Sequence, residues 1–388
     1  MAASVSNEIK VSVSITAYNH ASYISQALDS VLAQKVNFSY EILLGEDEST
    51  DGTREICIEY ANRHPEIIKL FMHDRKEVLY INGKPSGRRN LYHNLVQARG
   101  EYIALLDGDD FWTCNDKLQK QVDLLDSNPG TAICFHNAQV PVGRPHLTQI
   151  TDLFFGNYIP TCSAMFRNTL HGKLPEWFFE TPMGDWPLYI LHSEHGDIRF
   201  IDEAMGCYRE HPGGVWSSTS KADQNNKTIK ALNIFAAYFA SNQLYSSLIR
   251  QSIDKHNTLS MNIYFKNWLN GLFSDGGGIA SALRKRNVES VAIFGSKETG
   301  LCVMRDCVHA KMDVVSFIDN NTSFHSSRID NIPINPPEFL AGDNIRIDAI
   351  VLTIEGSHED HVRNQLRDAL NGKEVAILSW KELLQEMQ

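Results

Sequence analysis

Residues 102–110, Tyr-Ile-Ala-Leu-Leu-Asp-Gly-Asp-Asp, decide the fold of the N-terminal part of this chain. An apolar run that suits a buried strand is followed directly by three carboxylates. In an open α/β sheet, ligands bind at the carboxyl ends of the strands. Closely spaced carboxylates do not stay ionised there without a cation, so the stretch predicts Mn²⁺ or Mg²⁺ bridging substrate phosphates. The alternative is an acidic turn that caps the following helix.

Strand and helix signals alternate on both sides of this stretch. Strands are predicted at residues 11–15, 41–44, 67–72 and 102–106, and helices at residues 21–33, 53–60 and 90–98. Such alternation is typical of an α/β domain with a mostly parallel sheet and helices on both faces.

Polar segments also follow the first two predicted strands. Thr-Ala-Tyr-Asn-His at residues 16–20 offers Tyr18 for stacking on a base, and Glu-Asp-Glu-Ser-Thr-Asp-Gly-Thr at residues 46–53 offers carboxylates to a base or ribose. Taken singly, the first segment is better explained as a strand-to-helix turn and the second as a helix cap. Because all three acidic or polar segments end successive strands, we expect them to converge at one edge of the sheet.

The rest of the chain divides by composition. Residues 141–212 are dense in Pro, Gly, Trp and His, as in loops around a site, and residues 221–273 are helical. A Gly-rich break at residues 275–278 precedes a second alternating unit. We therefore predict a catalytic domain at 1–220, a helical linker at 221–275 and a smaller Rossmann-like α/β domain at 276–388.

The turn after the first strand of the C-terminal unit has an incomplete dinucleotide-binding pattern. Gly295 and Gly300 stand where the first and last glycines are expected, but Lys297 replaces the glycine that lets a pyrophosphate approach the backbone. Asp319 follows the second strand, in the position of a ribose contact. We expect a structural or assembly role in preference to dinucleotide binding.

Composition excludes several classes of protein. The net charge of −11 disfavours a nucleic-acid binder, which needs clustered Lys and Arg. Seven scattered cysteines without a CxxC pair predict neither a disulfide framework nor a zinc ribbon. The sequence has no signal-peptide pattern and no run of 18 apolar residues, so we expect a cytoplasmic protein without a membrane span. Peripheral contact with the inner face of the membrane and self-association both stay open.

In order and spacing, the N-terminal segments resemble the inverting glycosyltransferases of family 2, which have the GT-A fold. The resemblance rests on residues 14–19, 46–53, 89–90 and 98–110 and covers about residues 9–215. It implies a nucleotide-sugar donor, most simply a UDP-sugar, and a divalent cation.

The resemblance also implies roles for single residues. Those implied to hold the donor are Thr16, Tyr18, Asp47, Arg89, Asn90, Asp107 and Arg209. Asp107 and Asp109 form the DxD element of this family, with Asp109 nearest the metal and Asp107 nearer the ribose. Glu46 stands where Asp is more usual, which blurs the base preference. In the segment at residues 208–217, Arg209 is placed to bind the diphosphate and His211 to bind the metal or a phosphate; a solvated His211 is the alternative.

The family's catalytic base matches Asp185, within Met-Gly-Asp-Trp-Pro-Leu at residues 183–188. An inverting transfer needs one base to deprotonate the acceptor hydroxyl. The residues alone also predict that Asp185 caps a helix that starts at Trp186 with Pro187 in its first turn, and both roles can hold at once. Should Asp185 not be the base, Glu176, Glu180 and Asp197 are the next candidates.

Together these features predict a metal-dependent inverting glycosyltransferase of the hexosyltransferase type. Its partners would be a nucleotide-sugar donor and a glycan or lipid-linked acceptor, as in polysaccharide biosynthesis. Two other classes stay open: an oxidoreductase that works through the C-terminal unit with a dinucleotide, and a catalytically silent scaffold that binds sugar nucleotides. The change at Lys297 disfavours the first, and the carboxylates Asp107, Asp109 and Asp185 disfavour the second.

Overall fold

A computed structural model describes residues 8–81, 83–139, 144–214, 216–271, 278–354 and 358–386, with only the backbone at residues 84, 260–267 and 269–271. The chain divides into two compact units, residues 1–257 and 258–388. The boundary predicted between residues 275 and 276 lies outside the described residues.

The first unit is built on one large sheet. Its strands are β1 (Ile9–Ala17), β2 (Ser39–Glu46), β3 (Ile68–Met72), β4 (Leu79–Ile81), β5 (Lys84–Ser86), β6 (Tyr102–Asp107), β7 (Phe111–Trp112), β8 (Thr131–Ala138), β9 (Leu147–Thr148), β10 (Met165–Arg167) and β11 (Asp197–Cys207). The strand order is β3-β2-β1-β6-β10-β8-β11-β7, with β9 beside β11, while β4 and β5 form a separate hairpin. Strands β3, β2, β1 and β6 are parallel, and β10 is antiparallel to both of its neighbours.

Helices cover both faces of this sheet. They are α1 (Ile24–Leu32), α2 (Thr53–Arg63), α3 (Arg88–Gln97), α4 (Lys117–Ser127), α5 (Ile150–Leu153), α6 (Asp185–Ser193), α7 (Lys221–Tyr238) and α8 (Gln243–Gly271), which runs past the division between the units. Side chains alternate along β6, so that Ala104 and Leu106 pack with α1, α2 and α4, whereas Ile103 and Leu105 pack with α3 and α6. The predicted mostly parallel α/β sheet is confirmed.

The sequence did not indicate strands β4, β5 and β7 to β11 of this unit. The longest, β11, carries exposed or half-exposed acidic residues, including Asp202 and Glu203, in its middle, so it lacks a period-2 pattern. Its pairing with β8 contains several register shifts, including one between Ile201 and Ala204. A bulged strand breaks the alternation on which strand prediction depends.

Strand register places the three predicted polar segments together. Thr16 of β1 lies opposite Asp107 of β6, and Ala17 lies opposite Glu46 of β2. Because the three strands are parallel and in step, the loops that follow them leave the sheet at the same edge.

The opposite edge of the same strands is tied together by Glu41. This carboxylate is 2% exposed and accepts hydrogen bonds from the Ser12 hydroxyl (2.8 Å), the Arg99 N–H (3.0 Å) and the Arg99 guanidinium. The Ser12 hydroxyl accepts in turn from the Gly100 N–H (2.9 Å). One buried acid thus links β1, β2 and the entry to β6.

The second unit contains a smaller sheet. Its elements are β12 (Ser290–Phe294), β13 (Asp313–Ile318), β14 (Arg328–Ile329), β15 (Ile332–Asn335), β16 (Ala349–Leu352), β17 (Ala376–Ser379), α9 (Ile279–Lys285), α10 (Glu298–His309), α11 (Glu359–Leu370) and α12 (Trp380–Gln385). The order is β14-β15-β13-β12-β16-β17, and the strands are parallel except β14. Strands β12, β13, β16 and β17 alternate with helices, as the sequence predicts for this unit, and the short strands β14 and β15 are two that it does not indicate. The Rossmann-like assignment itself stays a prediction.

The loop after β12 uses Asp319 for its own support. Oδ2 of Asp319 accepts from the N–H and the hydroxyl of Ser296 (3.1 and 2.6 Å), and Oδ1 accepts from the Asn321 N–H (2.9 Å). Both oxygens of the acid in the ribose-contact position are therefore occupied by the protein.

In the described ranges, none of the helices has the length and apolarity to cross a bilayer.

Replacing Glu41 with Ala should destabilise the first unit by about 2 kcal/mol, since the Ser12 hydroxyl on β1 and the Arg99 N–H before β6 lose their acceptor. Chemical denaturation monitored by circular dichroism measures the loss. The control is Glu59→Ala, which removes an exposed ion pair with Arg63 on α2 and should cost no more than about 0.5 kcal/mol. Equal losses in the two variants would contradict a role for Glu41 in joining the strands.

Candidate active site

The loops after β1 and β2 are joined by side-chain hydrogen bonds. The Asn19 N–H donates to the Ser49 hydroxyl (2.9 Å), the Thr50 N–H donates to Oδ1 of Asn19 (3.0 Å), and the His20 N–H donates to the Thr53 hydroxyl (2.7 Å). Asn19 has φ of 54°, in the left-handed region that Asn tolerates better than most residues. The two predicted segments therefore form one continuous wall.

The loop after β6 joins this wall through Thr16. The Thr16 hydroxyl donates to Oδ1 of Asp107 at 3.0 Å. Gly108 lies so close to β1 that a Cβ there would stand 2.8 Å from Nδ1 of His20 and 3.0 Å from the Thr16 carbonyl oxygen. A side chain between the two aspartates would push the loops apart.

Burial and the neighbouring charge of Asp109 raise the pKa of Asp107 to about 7, against the hydrogen bond from Thr16, which lowers it. The charge of Asp185 also raises the pKa of Asp107, so the two carboxylates share one electrostatic environment.

Asp109 faces two imidazoles. Oδ2 of Asp109 lies 3.0 Å from Nε2 of His211 and 3.7 Å from Nε2 of His20. A carboxylate and imidazoles are donors that Mn²⁺ accepts, and Mg²⁺ and Mn²⁺ commonly complete their coordination with substrate phosphates. Within the described part of the chain, no three His, Cys, Asp or Glu side chains are arranged as a ready metal cluster.

Asp110 and Arg209 connect this loop to the segment after β11. Oδ1 of Asp110 accepts from the Arg209 N–H (2.9 Å), and burial, together with the charge of Asp107, raises the pKa of Asp110 to about 8. The Arg209 guanidinium donates to the Asp109 carbonyl oxygen and to Gln26, and lies 4.5 Å from the centre of the Phe111 ring. Arg209 therefore braces the loop that carries Asp109.

The predicted nucleobase side contains Asp47 and Asn90. Burial raises the pKa of Asp47 to about 6, although the nearby Arg75 lowers it. Asn90 is 1% exposed, and its amide has no partner of ordinary hydrogen-bond geometry among the described residues, yet it lies near enough to Asp47 to lower that pKa. A buried amide without a hydrogen-bond partner of ordinary geometry is a candidate contact for a polar ligand.

Tyr18 is 38% exposed at this wall, and the Arg75 guanidinium lies 4.0 Å from the centre of its ring. The sequence did not indicate Arg75, which comes from a short 3-10 turn after β3.

Arg89, predicted beside Asn90, is half-exposed and pairs with the carboxylate of Glu77 at 2.8 Å. Its neighbour Arg88 is the buried arginine at this end of α3, at 3% exposure. Sequence reasoning missed Arg88 because two adjacent arginines offer no signal of which one faces inward.

The candidate base Asp185 is the first residue of α6, and Gly184 takes the cap position that the sequence had assigned to Asp185. Oδ1 of Asp185 accepts from the Trp186 N–H (2.8 Å), and Oδ2 accepts from the side chain of Asn157 (2.6 Å). Burial raises the pKa of Asp185 despite these hydrogen bonds. By contrast, the reserve candidate Asp197 begins β11, where it accepts from the hydroxyl of Thr131 at the start of β8, far along the strand from the loops of the site.

The difference in stability between Asp47→Asn and wild type should favour the variant more at pH 7.5 than at pH 5. In the folded state the pKa of Asp47 is raised from 3.8 to about 6, so the stability that its protonated form contributes is lost as the pH rises through 6. Melting temperatures of both proteins at the two pH values measure the effect.

Asp51→Asn is the control for this pH series. At Asp51, hydrogen bonds from Thr53 and the Ala21 N–H outweigh partial burial and lower the pKa. Its contribution is therefore complete at both pH values, and the substitution should cost the same at each. The change in stability caused by each substitution is compared at pH 5 and pH 7.5. If it differs between the two pH values by the same amount in Asp47→Asn and Asp51→Asn, the assignment of the pH dependence to Asp47 is wrong.

Comparison with known proteins agrees with this architecture. A model of the family described as Glycosyl transferase family 2 matches residues 12–174. The protein Rv1520 of Mycobacterium tuberculosis (strain ATCC 25618 / H37Rv) is 33% identical over 221 residues, which cover 54% of this chain and 61% of Rv1520. The dTDP-rhamnosyl transferase RfbG of Shigella flexneri is 26% identical over 212 residues, which cover 50% of this chain and 70% of RfbG.

Among solved structures, TarS 1-349 of S. aureus in complex with UDP-GlcNAc is similar with a TM-score of 0.48 and 18% identity, covering 69% of this chain and 76% of that chain. The chain covers 61% of Rv1520, which is less than two thirds of the length of that relative. The family match covers β1, β2, β3 and β6 together with the loops that carry Thr16, Asp47 and Asp109. Residues 12–174 of the chain therefore match glycosyl transferase family 2.

Proposed function

We propose that this protein is a metal-dependent inverting glycosyltransferase that moves a hexosyl group from a nucleoside-diphosphate sugar, most simply a UDP-sugar, to a hydroxyl of a glycan or lipid-linked acceptor. The observation that carries the proposal is the meeting of Thr16, Asp107, Asp109 and Asp185 at one sheet edge of a family 2 domain. The name of RfbG, a dTDP-rhamnosyl transferase, supports the same class of donor.

In this proposal the nucleoside lies along the wall formed by the loops after β1 and β2. Asp47 and the unpartnered amide of Asn90 supply the polar groups that a base requires, and Tyr18 supplies an aromatic face. Asp107, held by Thr16, lies next to the ribose. The guanidinium of Arg75 rests on the Tyr18 ring, so base stacking there requires Arg75 to move.

The cation would be held by the carboxylate of Asp109 and by His211, with His20 facing the same oxygen, Oδ2, of that carboxylate. A bound divalent cation would neutralise the charge that develops on the departing diphosphate. The carboxylate and imidazole donors fit Mn²⁺, and the raised pKa values of Asp107 and Asp110 indicate a loop in which added positive charge is favourable.

Asp185 is the proposed base. The acceptor hydroxyl gives its proton to the Asp185 carboxylate while its oxygen bonds to the anomeric carbon, and the bond from that carbon to the diphosphate oxygen breaks. Asp185 as a residue is of intermediate exposure, and the Asn157 amide and the Trp186 N–H hold the two oxygens of its carboxylate in a fixed orientation. A raised pKa brings its basicity closer to that needed at neutral pH.

For the second unit and the helical segment, the proposal is a role in support and assembly. The carboxylate of Asp319 is already bound by Ser296 and Asn321, and Lys297 stands where a pyrophosphate needs glycine. These two observations favour the transferase over a dinucleotide-dependent oxidoreductase.

Asp109→Ala should abolish transfer and weaken the Mn²⁺-dependent part of UDP binding, because it removes the carboxylate shared by both imidazoles. Isothermal titration with UDP, with and without Mn²⁺, measures this loss. The control is Asp123→Ala, an exposed acid on α4, which should leave both quantities unchanged. Full transfer by Asp109→Ala, or by wild type in EDTA, would contradict metal dependence.

Asp185→Asn should reduce transfer by about a hundredfold or more while UDP affinity and melting temperature stay near wild type, because Asn keeps the shape and loses the basic site. If Asp185 only supports the helix start, Asp185→Ala should instead lower stability by about 1 kcal/mol and retain turnover. Asp152→Asn, at the capping box of α5, is the matched control at another helix start. Wild-type turnover by Asp185→Asn would place the base elsewhere.

A further inference from the structure

Arg88 is a buried arginine whose side-chain hydrogen bonds all go to one turn, at Phe178 and Thr181. Its Nη1 donates to the Phe178 carbonyl oxygen and to the Thr181 hydroxyl (3.0 Å), and Nη2 donates to the Thr181 carbonyl oxygen (3.1 Å). The guanidinium also lies 4.6 Å from the centre of the Phe178 ring. Arg88 therefore fixes the turn that leads into α6, whose first residue is Asp185.

Gly184 lets Arg88 approach the backbone directly before Asp185. A Cβ on Gly184 would stand 3.1 Å from Nε of Arg88 and 3.4 Å from the side chain of Leu91. The backbone angle of Gly184, φ of −94°, is open to any residue, so the close approach of Arg88 is what requires glycine.

The charge of Arg88 is not balanced by its own hydrogen bonds. Its acceptors are two carbonyl oxygens and a hydroxyl, and among the described residues no carboxylate lies within 4.0 Å of the guanidinium. Burial lowers the pKa of Arg88 to about 10, and the charge of Asp185 acts in the opposite direction. A buried cation without a counter-charge is costly, so the neighbouring carboxylate explains why an arginine occupies this place.

We propose that Arg88 is the positioning residue of Asp185: it clamps the turn before α6 and keeps a fixed positive charge near the carboxylate. The inference rests on the proposed function in that Asp185 is taken as the base. The other groups that face Asp185 are Asp107 from β6 and Tyr189 from α6, which are affected by its charge, and the neutral Asn157. Arg88 is therefore the cation that favours the ionised base over the protonated acid.

The test compares Arg88→Gln, which removes the charge, with Arg88→Lys, which keeps it but loses the forked hydrogen bonds. The full-length protein is labelled with ¹³C at the aspartate carboxyl carbons, and the Asp185 signal is assigned from its absence in Asp185→Asn. We expect the signal to titrate at higher pH in Arg88→Gln than in wild type and close to wild type in Arg88→Lys. UDP affinity should stay unchanged in both, because the donor wall does not contain Arg88.

Turnover is the second readout. It is measured as the rate at which UDP is released from the UDP-sugar that the wild type hydrolyses fastest. Both variants should lose about tenfold or more, since the base is held less rigidly. The acidic limb of the pH profile should move to higher pH only in Arg88→Gln. An unchanged Asp185 titration in a folded Arg88→Gln protein would overturn the proposal.

A matched control and a second variant keep the test decisive. Arg167→Gln also removes an arginine that donates to backbone carbonyls, those of Thr131 (2.8 Å) and Leu125 (2.6 Å), and packs on a Tyr102 ring. It should lower stability without moving the Asp185 titration. If Arg88→Gln does not fold, Gly184→Ala displaces the guanidinium by adding a methyl group, and the same upward shift is expected; no shift overturns the proposal.

Failure of this proposal is distinguishable from failure of the proposed function. If Asp185→Asn is inactive and the titration of Asp185 does not depend on Arg88, the base stands and the positioning role is wrong. If the titration shifts in Arg88→Gln while Asp185→Asn turns over at the wild-type rate, Arg88 sets the charge of Asp185 but the base lies elsewhere, which overturns the positioning role in catalysis.

Discussion

The site depends on the parallel register of β2, β1 and β6. In this register Thr16 lies opposite Asp107 and Ala17 opposite Glu46, so three acidic or polar loops begin at the same height. The Thr16–Asp107 hydrogen bond and the close approach of Gly108 to β1 then hold the loops in contact. A shift of two residues in either pairing would displace Asp107 and Asp109 relative to Asp47 by almost 7 Å along the strands, at about 3.3 Å per residue.

This arrangement gathers carboxylates in a place that disfavours their ionisation. The pKa values of Asp47, Asp107 and Asp110 are all raised, to about 6, 7 and 8, with burial as the first cause in each. The folded protein without ligand therefore carries an electrostatic cost that a cation and hydrogen-bond donors of a ligand would relieve. An electrostatic cost of this kind is expected at a binding site. A structural role alone explains it poorly, because the protein would fold more easily with neutral residues at these positions.

Other polar groups hold the site without belonging to it. Glu41 joins the far edge of the same strands, and buried Glu46 pairs with Arg54 while it accepts from the Ser49 N–H (2.6 Å). Asp110 ties the loop after β6 to the segment after β11. The acidic segments therefore contain residues of two kinds. Some bind other groups of the protein, and the remainder stay available to a ligand.

Local pattern was sufficient for the elements that build the proposed donor side. Apolar runs at residues 11–15, 41–44 and 102–106, each followed by polar residues, predicted β1, β2 and β6 and the convergence of their loops, because parallel strands meet at one edge. Long-range contacts determined the rest. The bulged β11 has no period to detect, and contacts with Phe178 and Thr181, which are distant in sequence, hold Arg88 inside while Arg89 pairs with Glu77. Likewise Arg75 reached Tyr18 only through the path of the chain after β3, since a side chain's partner across 57 residues depends on packing that no local pattern contains.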